Sequence, residues 1–358
     1  MIQSKFNSVI VRCAAVFFWL SLFLFVLFLP RFLQNNSSDT LYIFSWSGII
    51  DPLYIKKFEK LTGKKVKISY YENNQELLVK LKATGGKGYD LIVPSDYTVN
   101  ILRKENLLHE LDKNKLTFLK RLNPSFLNHY YDPENNYSVP FDWGIYGIGI
   151  DTTQFPEGLP EASWKLIFEP LHNKNLAMVN DPYEAFDIAR RYLYQDKKEL
   201  TLDDIESIKE LLKRQHRSVM VYTDARADYL LATHNCALVV ASSAYIWRGM
   251  KDYPDINFMI PKEGTILTIE NFAIPKESQN KELAYEFLNF IYSLESIEHH
   301  FNYSAFSPTT IDPLTWGHLP QSKRDLLVPS KEIFKKFHFL EPSISEQDLY
   351  DVWVMVKS

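Results

Sequence analysis

The chain has 358 residues, of which 46% are hydrophobic and 23% are charged, as expected for a globular protein long enough to form two lobes with separate cores. The net charge is -4 and no basic stripe stands out, so the composition argues against nucleic acid as a partner. The only cysteines are Cys13 and Cys236. Cys13 lies in an N-terminal apolar run, which leaves the body without an internal disulfide. Because apolar residues surround it, we expect Cys236 to be a buried, unreactive thiol.

Residues 1–36 have the pattern of a targeting segment. Lys5 and Arg12 precede an apolar run, Cys13–Leu29, which contains Ser21 as its one polar residue and ends at Pro30. A positive start and an apolar middle are typical of a secretory signal peptide. The run is also near the roughly 17-residue minimum for spanning a bilayer, and it lacks a small-x-small cleavage site. A cleaved signal and an uncleaved membrane anchor therefore both stay open, and either one predicts that the body lies outside the cytoplasm.

Strand and helix patterns alternate from about residue 40 onwards, which predicts an α/β fold with a largely parallel sheet. Gly63 and Gly85 are expected to end the first two helices. The predicted strands are Leu41–Phe44, Val66–Tyr70, Asp90–Val93, Ser138–Ile150, Ala237–Ala241 and Ile266–Pro275. The predicted helices are Pro52–Leu61, Gln75–Ala83, Val99–Glu105, Tyr183–Tyr194, Asp203–Gln215 and Lys281–Tyr292. The long strands at Ser138 and Ile266 indicate a chain that leaves a first lobe and later returns to it.

Polar and aromatic residues follow two of the early strands. Trp46 and Ser47 come directly after the first strand, and Ser95 and Tyr97 follow the third. In an open α/β sheet, ligands bind beyond the carboxyl ends of the strands. The sequence therefore predicts a site that holds a small molecule.

Other chemistries find little support in the sequence. No phosphate-binding loop, dinucleotide fingerprint or Gly-x-Ser-x-Gly elbow occurs, and we assign no catalytic residue and no cofactor. His299 and His300 are expected at the end of the helix that begins at Lys281, where imidazoles complement the last carbonyl groups. They have no partners at metal-ligand spacing, so we assign no metal site.

Several stretches resemble one known family, the periplasmic spermidine/putrescine-binding proteins, which are the solute receptors of polyamine ABC transporters. They occur in family order through most of residues 40–310, whereas the last fifty residues match poorly. The matching stretches are Leu41–Trp46, Phe58–Gly63, Tyr71–Gln75, Tyr89–Ser95, Ser138–Pro140 with Trp143-Gly144, Pro261–Gly264 and Ala273–Pro275.

The resemblance implies a two-lobe clamp of the type II periplasmic-binding-protein class, in which each lobe is a mostly parallel sheet with flanking helices. Lobe 1 would comprise residues 40–145 and 271–310, and lobe 2 residues 146–270 and 311–358. The protein would capture a polyamine or related cation by lobe closure in the periplasm. It would then deliver the ligand to an ABC permease and its ATPase, without acting as an enzyme.

A polyamine site needs carboxylates for the ammonium groups and aromatic faces for the methylene chain. By resemblance, Trp46, Ser47, Ser95 and Tyr97 are ligand residues in the first lobe. Trp46 could instead be a core residue. Ser95 could instead cap the helix that follows it.

The resemblance also carries ligand roles to Asp181, Glu184, Glu270 and Phe306. Asp181 and Glu184 lie in Asp181-Pro-Tyr-Glu184, which is equally an ordinary helix start with Asp181 as the N-cap, and both roles can hold together. Glu270 replaces a family Asp, and Phe306 replaces a family Tyr.

The aromatic cage is thinner than in the family. Two family tryptophans align with Val240 and Thr268, an aromatic residue aligns with Ile49, and a late Gln aligns with Leu340. Compensation could come from Asp142, which adds a carboxylate, or from the aromatic residues Tyr245 and Trp247. A cationic amine is the expected ligand. Alternatives are another organic cation or an amino-acid derivative on the same fold, and a membrane-anchored sensor.

Overall fold

The structure is a computed structural model that describes residues 17–23, 39–169, 175–197, 199–223, 226–318, 337–341 and 343–357. Of the predicted signal or anchor, only residues 17–23 fall in these ranges, and they are helical. The rest of that prediction, including cleavage or retention of the segment, lies outside the described residues. Within the described ranges, no helix is both long enough and apolar enough to cross a membrane.

The first part of the body alternates strands and helices as the sequence predicts. Its elements are β1 (Thr40–Trp46), α1 (Pro52–Thr62), β2 (Lys65–Tyr71), α2 (Asn74–Thr84), β3 (Leu91–Ile92) and α3 (Asp96–Lys104). Gly63 and Gly85 end α1 and α2 with φ angles of 72° and 62°. Glycine adopts this left-handed conformation without a steric penalty, so both predicted helix stops are confirmed. Helix α3 begins at Asp96, earlier than the predicted Val99.

The remaining elements include the two long strands that the sequence predicts. The middle section contains β4 (Ser138–Asp151), α4 (Lys165–Phe168), β5 (Leu176–Met178), α5 (Pro182–Tyr194), α6 (Leu202–His216), β6 (Val219–Tyr222), α7 (Ala227–Ala232), β7 (Leu238–Ser242), α8 (Ser243–Met250), β8 (Ile256–Met259) and β9 (Thr265–Ala273). The last section contains α9 (Lys281–Ile291), α10 (Leu294–Ser304), β10 (Ser307–Pro308), β11 (Phe337–Phe339) and α11 (Glu346–Lys357). Single 3-10 turns occur at Lys113–Lys115, Leu119–Arg121, Pro124–Phe126, Thr152–Gln154 and Asp312–Thr315.

Strands β4 and β9 lie at the centre of one mixed sheet with the order β2-β1-β3-β9-β4-β7-β5-β6. The strands on one side, β2, β1 and β3, are parallel, and so are β7, β5 and β6 on the other side. The central strands pair antiparallel with each other and are buried throughout. The α/β class and the parallel units on either side of two crossing strands are as predicted.

Buried apolar side chains pack against the sheet and include the one cysteine among the described residues. Cys236 precedes β7 and is fully buried. Burial raises the pKa of its thiol to about 11. The prediction of a buried thiol is confirmed, and so high a pKa keeps the group protonated at neutral pH.

The prediction for His299 and His300 is wrong in one respect. The helix that begins at Lys281 ends at Ile291, and both histidines lie inside the next helix, α10. Their rings do not serve a helix end. His299 Nε2 lies 2.6 Å from a carboxylate oxygen of Asp51, and His300 Nε2 lies 3.1 Å from Asp142 Oδ2.

Candidate ligand-binding site

A cavity lies against the two central strands, where several strands and helices end. Its lining residues are Trp46, Ile49, Tyr146, Glu184, Ser242, Tyr245, Thr268, Glu270 and Phe306. A wider depression shares Trp46 and Tyr245 with this cavity, and Ser47 also lines it. Of the predicted ligand residues, Trp46, Glu184, Glu270 and Phe306 therefore meet in one cavity, and Ser47 lies beside it.

The strand register explains how the floor of this cavity forms. Thr268 and Glu270 are two residues apart on β9, so their side chains share one face of the sheet. Gly144 of β4 lies opposite Thr268, and Tyr146 lies opposite Ser242 at the end of β7. Residues from three neighbouring strands therefore reach the same cavity.

Glu270 is held on both carboxylate oxygens by uncharged donors. Trp46 Nε1 donates to Oε2 at 2.8 Å, and Ser95 Oγ donates to Oε1 at 2.7 Å. Burial, and next the carboxylate of Asp142, raise the pKa of Glu270 well above its ordinary value, while the two donors act in the opposite direction. An ionised carboxylate buried in this way is stabilised by a bound cation. Trp46 lines the cavity and also packs, partly buried, against two clusters of the apolar core.

Asp142 lies opposite Glu270 in the β4–β9 register, but the structure does not bring it into the cavity lining. Its Oδ2 contacts His300 as described above, and its Oδ1 has no hydrogen-bond partner among the described residues. Burial raises the pKa of Asp142, and the hydrogen bond from His300 lowers it. Asp142 thus lies behind Glu270, where its carboxylate raises the pKa of Glu270, and it is positioned by a histidine that the sequence pattern placed elsewhere.

The side chain of Ser95 bonds Glu270 and does not cap α3. It occupies the N-cap position, yet it makes no side-chain cap hydrogen bond. Its hydroxyl donates to Glu270 and accepts from Asn74 Nδ2 at 3.0 Å. Ser95 N in turn donates to Asn74 Oδ1 at 3.3 Å. The capping interpretation of this side chain is wrong, and Asn74 is a positioning residue that the sequence did not reveal.

Tyr97 and Asp181 contact each other. Tyr97 OH donates to Asp181 Oδ2 at 2.5 Å, and both residues are buried. Burial raises the pKa of Asp181 and also that of Tyr97, so the tyrosine keeps its proton and acts as the donor. Neither residue lines the cavity. They join the helix that follows β3 to the helix that follows β5.

The start of α5 has the predicted cap. Asp181 Oδ1 accepts from the backbone N–H groups of Tyr183 at 2.9 Å and Glu184 at 3.2 Å, and Pro182 is the first helical residue. With its other oxygen bonded to Tyr97, Asp181 is occupied by structural hydrogen bonds. Glu184 is the acidic residue of this segment that lines the cavity, where it is 3% exposed.

Aromatic rings form much of the cavity wall. The ring centroid of Trp46 lies 4.7 Å from that of Tyr71, and the rings of Tyr245 and Phe306 meet edge to face at 5.3 Å. Tyr245 therefore supplies an aromatic face to the cavity, whereas the sequence indicated this residue only as a possible compensation for the missing family aromatics. Trp247, the other such candidate, packs against Phe258 and does not line the cavity.

The four residues that align with different residue types in the family fall into two groups. Thr268 and Ile49 line the cavity, so these replacements change its surface. Val240 and Leu340 are buried in a core cluster that includes β7 and α11. Tyr146 and Ser242 line the cavity but were missed. Alternation from Gly144 along β4 could have indicated Tyr146, whereas no local signal marks Ser242.

Comparison with known proteins shows which family this chain belongs to. The family model described as bacterial extracellular solute-binding protein matches residues 54–313. The chain belongs to this family. The matched range includes every lining residue except Trp46 and Ile49, which precede it.

Known relatives confirm the resemblance. The spermidine/putrescine-binding periplasmic protein of Salmonella typhimurium is 34% identical over 259 residues, which is 72% of this chain and 73% of the relative. The putrescine-binding periplasmic protein SpuD of Pseudomonas aeruginosa is 27% identical over 346 residues, covering 91% of this chain and 94% of the relative.

Solved structures confirm the predicted two-lobe, type II fold class. A structure assigned to a spermidine/putrescine ABC transporter of Listeria monocytogenes matches with a TM-score of 0.80 and 26% identity, over 89% of this chain and 98% of that one. A Treponema pallidum lipoprotein, at 20% identity, matches with a TM-score of 0.76 over 89% and 99% of the two chains. This solute-binding protein therefore has the fold of transport receptors.

Proposed function

We propose that this solute-binding protein captures a polyamine or a closely related organic cation and delivers it to an ABC permease and its ATPase, without chemical conversion. Relatives that match most of the chain are described as binding spermidine and putrescine, or putrescine. Polyamines are flexible polycations, and the cavity combines buried carboxylates with aromatic faces, which is the combination such ligands require.

The environment of Glu270 is the observation that carries the proposal. Its two oxygens contact the uncharged donors Trp46 and Ser95, and no basic side chain is paired with it in the described part of the chain. Asp142 lies directly opposite on β4 and adds a second negative charge. Like charges opposite each other on paired strands are destabilising, so a cationic ligand here would relieve repulsion as well as gain attraction.

Capture would occur by closure of two lobes about β4 and β9. We assign residues 40–145 and 271–310 to lobe 1, and residues 146–270 and 311–358 to lobe 2. Trp46 and Glu184 would then approach the ligand from different lobes. Closure around a ligand at a hinge of two crossing segments belongs to the known repertoire of binding-protein motions.

The proposed location is the periplasm. Residues 1–36 would direct export, and the periplasmic relatives support this placement. We assign nine ligand-site residues: Trp46, Ser47, Ser95, Tyr97, Asp142, Asp181, Glu184, Glu270 and Phe306. In this assignment Ser95, Tyr97, Asp142 and Asp181 act by positioning and by charge, because they lie behind the cavity surface.

Isothermal titration calorimetry with putrescine, spermidine and spermine tests the proposal directly. The full chain, purified in mild detergent, should bind at least one of them saturably, with affinity in the micromolar range or tighter. Thermal unfolding should shift upward with ligand concentration, because a ligand that binds only the folded state stabilises it. The proposal fails if a cooperatively folded protein shows no heat and no thermal shift with all three amines.

A pair of matched variants separates site effects from general charge effects. Trp46→Phe keeps a ring in the cavity and removes the donor to Glu270, so it should weaken amine binding by roughly tenfold, the value of one hydrogen bond to a charged group. Glu277→Gln removes an exposed carboxylate on the loop after β9 and should leave affinity unchanged. Equal losses in both variants would indicate nonspecific attraction of polycations to an acidic protein.

A further inference from the structure

Ser242 lines the cavity and has a side-chain hydroxyl that no described residue bonds. The residue is 4% exposed and lines the cavity together with Glu184 and Glu270. Its Oγ is buried and has no hydrogen-bond partner among the described residues. A buried hydroxyl without a partner is destabilising by about 1–3 kcal/mol, and the described residues supply none, so a bound ligand is the partner that this hydroxyl calls for.

Local structure does not account for this hydroxyl. Ser242 occupies the N-cap position of α8, yet its side chain makes no cap hydrogen bond. Ser95 occupies the same position at α3, and its hydroxyl also makes no cap hydrogen bond. The Ser95 hydroxyl bonds Glu270 instead. Two helices therefore begin at the site with serines whose side chains do not cap them, and of the two hydroxyls only that of Ser95 has a partner in the described part of the chain.

The neighbouring strand leaves space for this hydroxyl. A Cβ atom added at Gly144 would lie 2.5 Å from Ser242 Oγ. The hydroxyl therefore occupies the space that the side chain of any residue other than glycine would need at position 144. Thr268 lies opposite Gly144 on the far side of β4, which gives the floor a second hydroxyl where the polyamine-binding family has an aromatic ring.

Sheet order places Ser242 between the two acidic residues of the cavity. Glu270 is on β9, Ser242 ends β7, and Glu184 is in the helix that follows β5. The order of the strands in this part of the sheet is β9-β4-β7-β5. At about 4.8 Å per strand, the backbones of β9 and β5 are roughly 14 Å apart, and β7 lies within that span. A linear ligand that reaches both carboxylates would pass the Ser242 hydroxyl with its middle part.

We propose that Ser242 Oγ accepts a hydrogen bond from an internal secondary ammonium group, so that the site selects a linear polyamine with a nitrogen in mid-chain over a diamine of the same length. This inference rests on the proposed amine-binding function. With Glu184 and Glu270 in the same cavity, the surrounding charge favours a cationic donor at this oxygen. A methylene group at the same position would leave the hydroxyl unpaired, and such mismatches discriminate strongly.

The test compares spermidine with 1,8-diaminooctane, which has the same chain length but a methylene in place of the internal nitrogen. Calorimetry on the full chain should give tighter binding of spermidine by a factor of about 10 to 100, the range for one hydrogen bond to a charged group. Ser242→Ala should reduce this ratio to within about threefold, mainly by weakening spermidine. The unfolding temperature of the ligand-free variant should not fall, because no described residue bonds the hydroxyl that it loses.

Ser243→Ala is the matched control, because Ser243 adjoins Ser242 but its Oγ accepts from Ile145 N and it does not line the cavity. Its spermidine preference should equal that of the wild type. A wild-type ratio near one, or a ratio that Ser242→Ala leaves unchanged, overturns the inference while amine binding stands. Tighter binding of N1-acetylspermidine that Ser242→Ala abolishes also overturns it, in favour of a carbonyl acceptor. Absence of binding by every amine rejects the proposed function itself.

Discussion

Replacing Glu270 with glutamine should have opposite effects on stability and on ligand binding. Glu270→Gln keeps the shape of the side chain and removes its charge. The amide oxygen can accept from Trp46 Nε1, and the amide nitrogen can donate to the hydroxyl of Ser95, which is able to accept. The variant is therefore expected to fold, to be more stable than the wild type without ligand at neutral pH, and to bind amines poorly.

The size of both effects follows from the burial of the carboxylate. Removing one partner of a buried charge pair weakens binding by about 2–5 kcal/mol, which is roughly 30-fold or more in affinity. In the folded protein the pKa of Glu270 is raised well above its ordinary value, first by burial and then by Asp142. Between the unfolded and folded pKa values the folded state holds more protons than the unfolded state. The contribution of Glu270 to the free energy of unfolding is therefore fully present below the pKa that this group has in the unfolded state. The contribution is lost as pH rises through the pKa of the folded state, by up to about 1.4 kcal/mol per pH unit.

Urea unfolding of the wild type and Glu270→Gln from pH 5 to pH 8, without ligand, measures this dependence. The variant should gain stability over the wild type as pH rises, and spermidine should stabilise only the wild type. Glu277→Gln, at an exposed position, provides the control and should show no such trend. A Glu270→Gln protein that is less stable than the wild type at every pH would refute the reasoning, because the carboxylate would then be a structural acceptor.

Three further predictions concern the surrounding structure. Tyr97→Phe removes the donor to Asp181 and should lower the free energy of unfolding by about 1–3 kcal/mol in urea titrations, so an unchanged midpoint would contradict the role of this bond. Gly147→Ala should destabilise the fold by about 1–3 kcal/mol in thermal unfolding, because its Cβ would lie 2.4 Å from ring atoms of Phe258; a wild-type melting temperature would count against this packing. Cys236, with a pKa raised by burial to about 11, should resist alkylation by iodoacetamide at pH 8 until urea is added. Detection of the alkylated Cys236 peptide by mass spectrometry of folded protein would contradict this prediction.

The sequence alone determined the local elements of this protein. Apolar spacing located the strands and helices, and Gly63 and Gly85 fixed two helix ends. The Asp181 cap was also predictable, because it involves backbone groups only two and three residues away. Such features depend on contacts within one turn of chain, where residue type nearly dictates geometry. The same patterns carried enough of the family resemblance to predict two lobes and a cationic ligand.

Only the tertiary structure decided which side chains meet at the candidate site. The Ser95 hydroxyl could cap a helix or bond a distant carboxylate, and its partner Glu270 is 175 positions away. His300 meets Asp142 across 158 positions, and a local reading put this imidazole at a helix end. Ser242 reaches the cavity through the pairing of β7 with β4 and the order of the central strands. Long-range register and burial select among local alternatives of similar energy, so short stretches of sequence could not reveal these contacts.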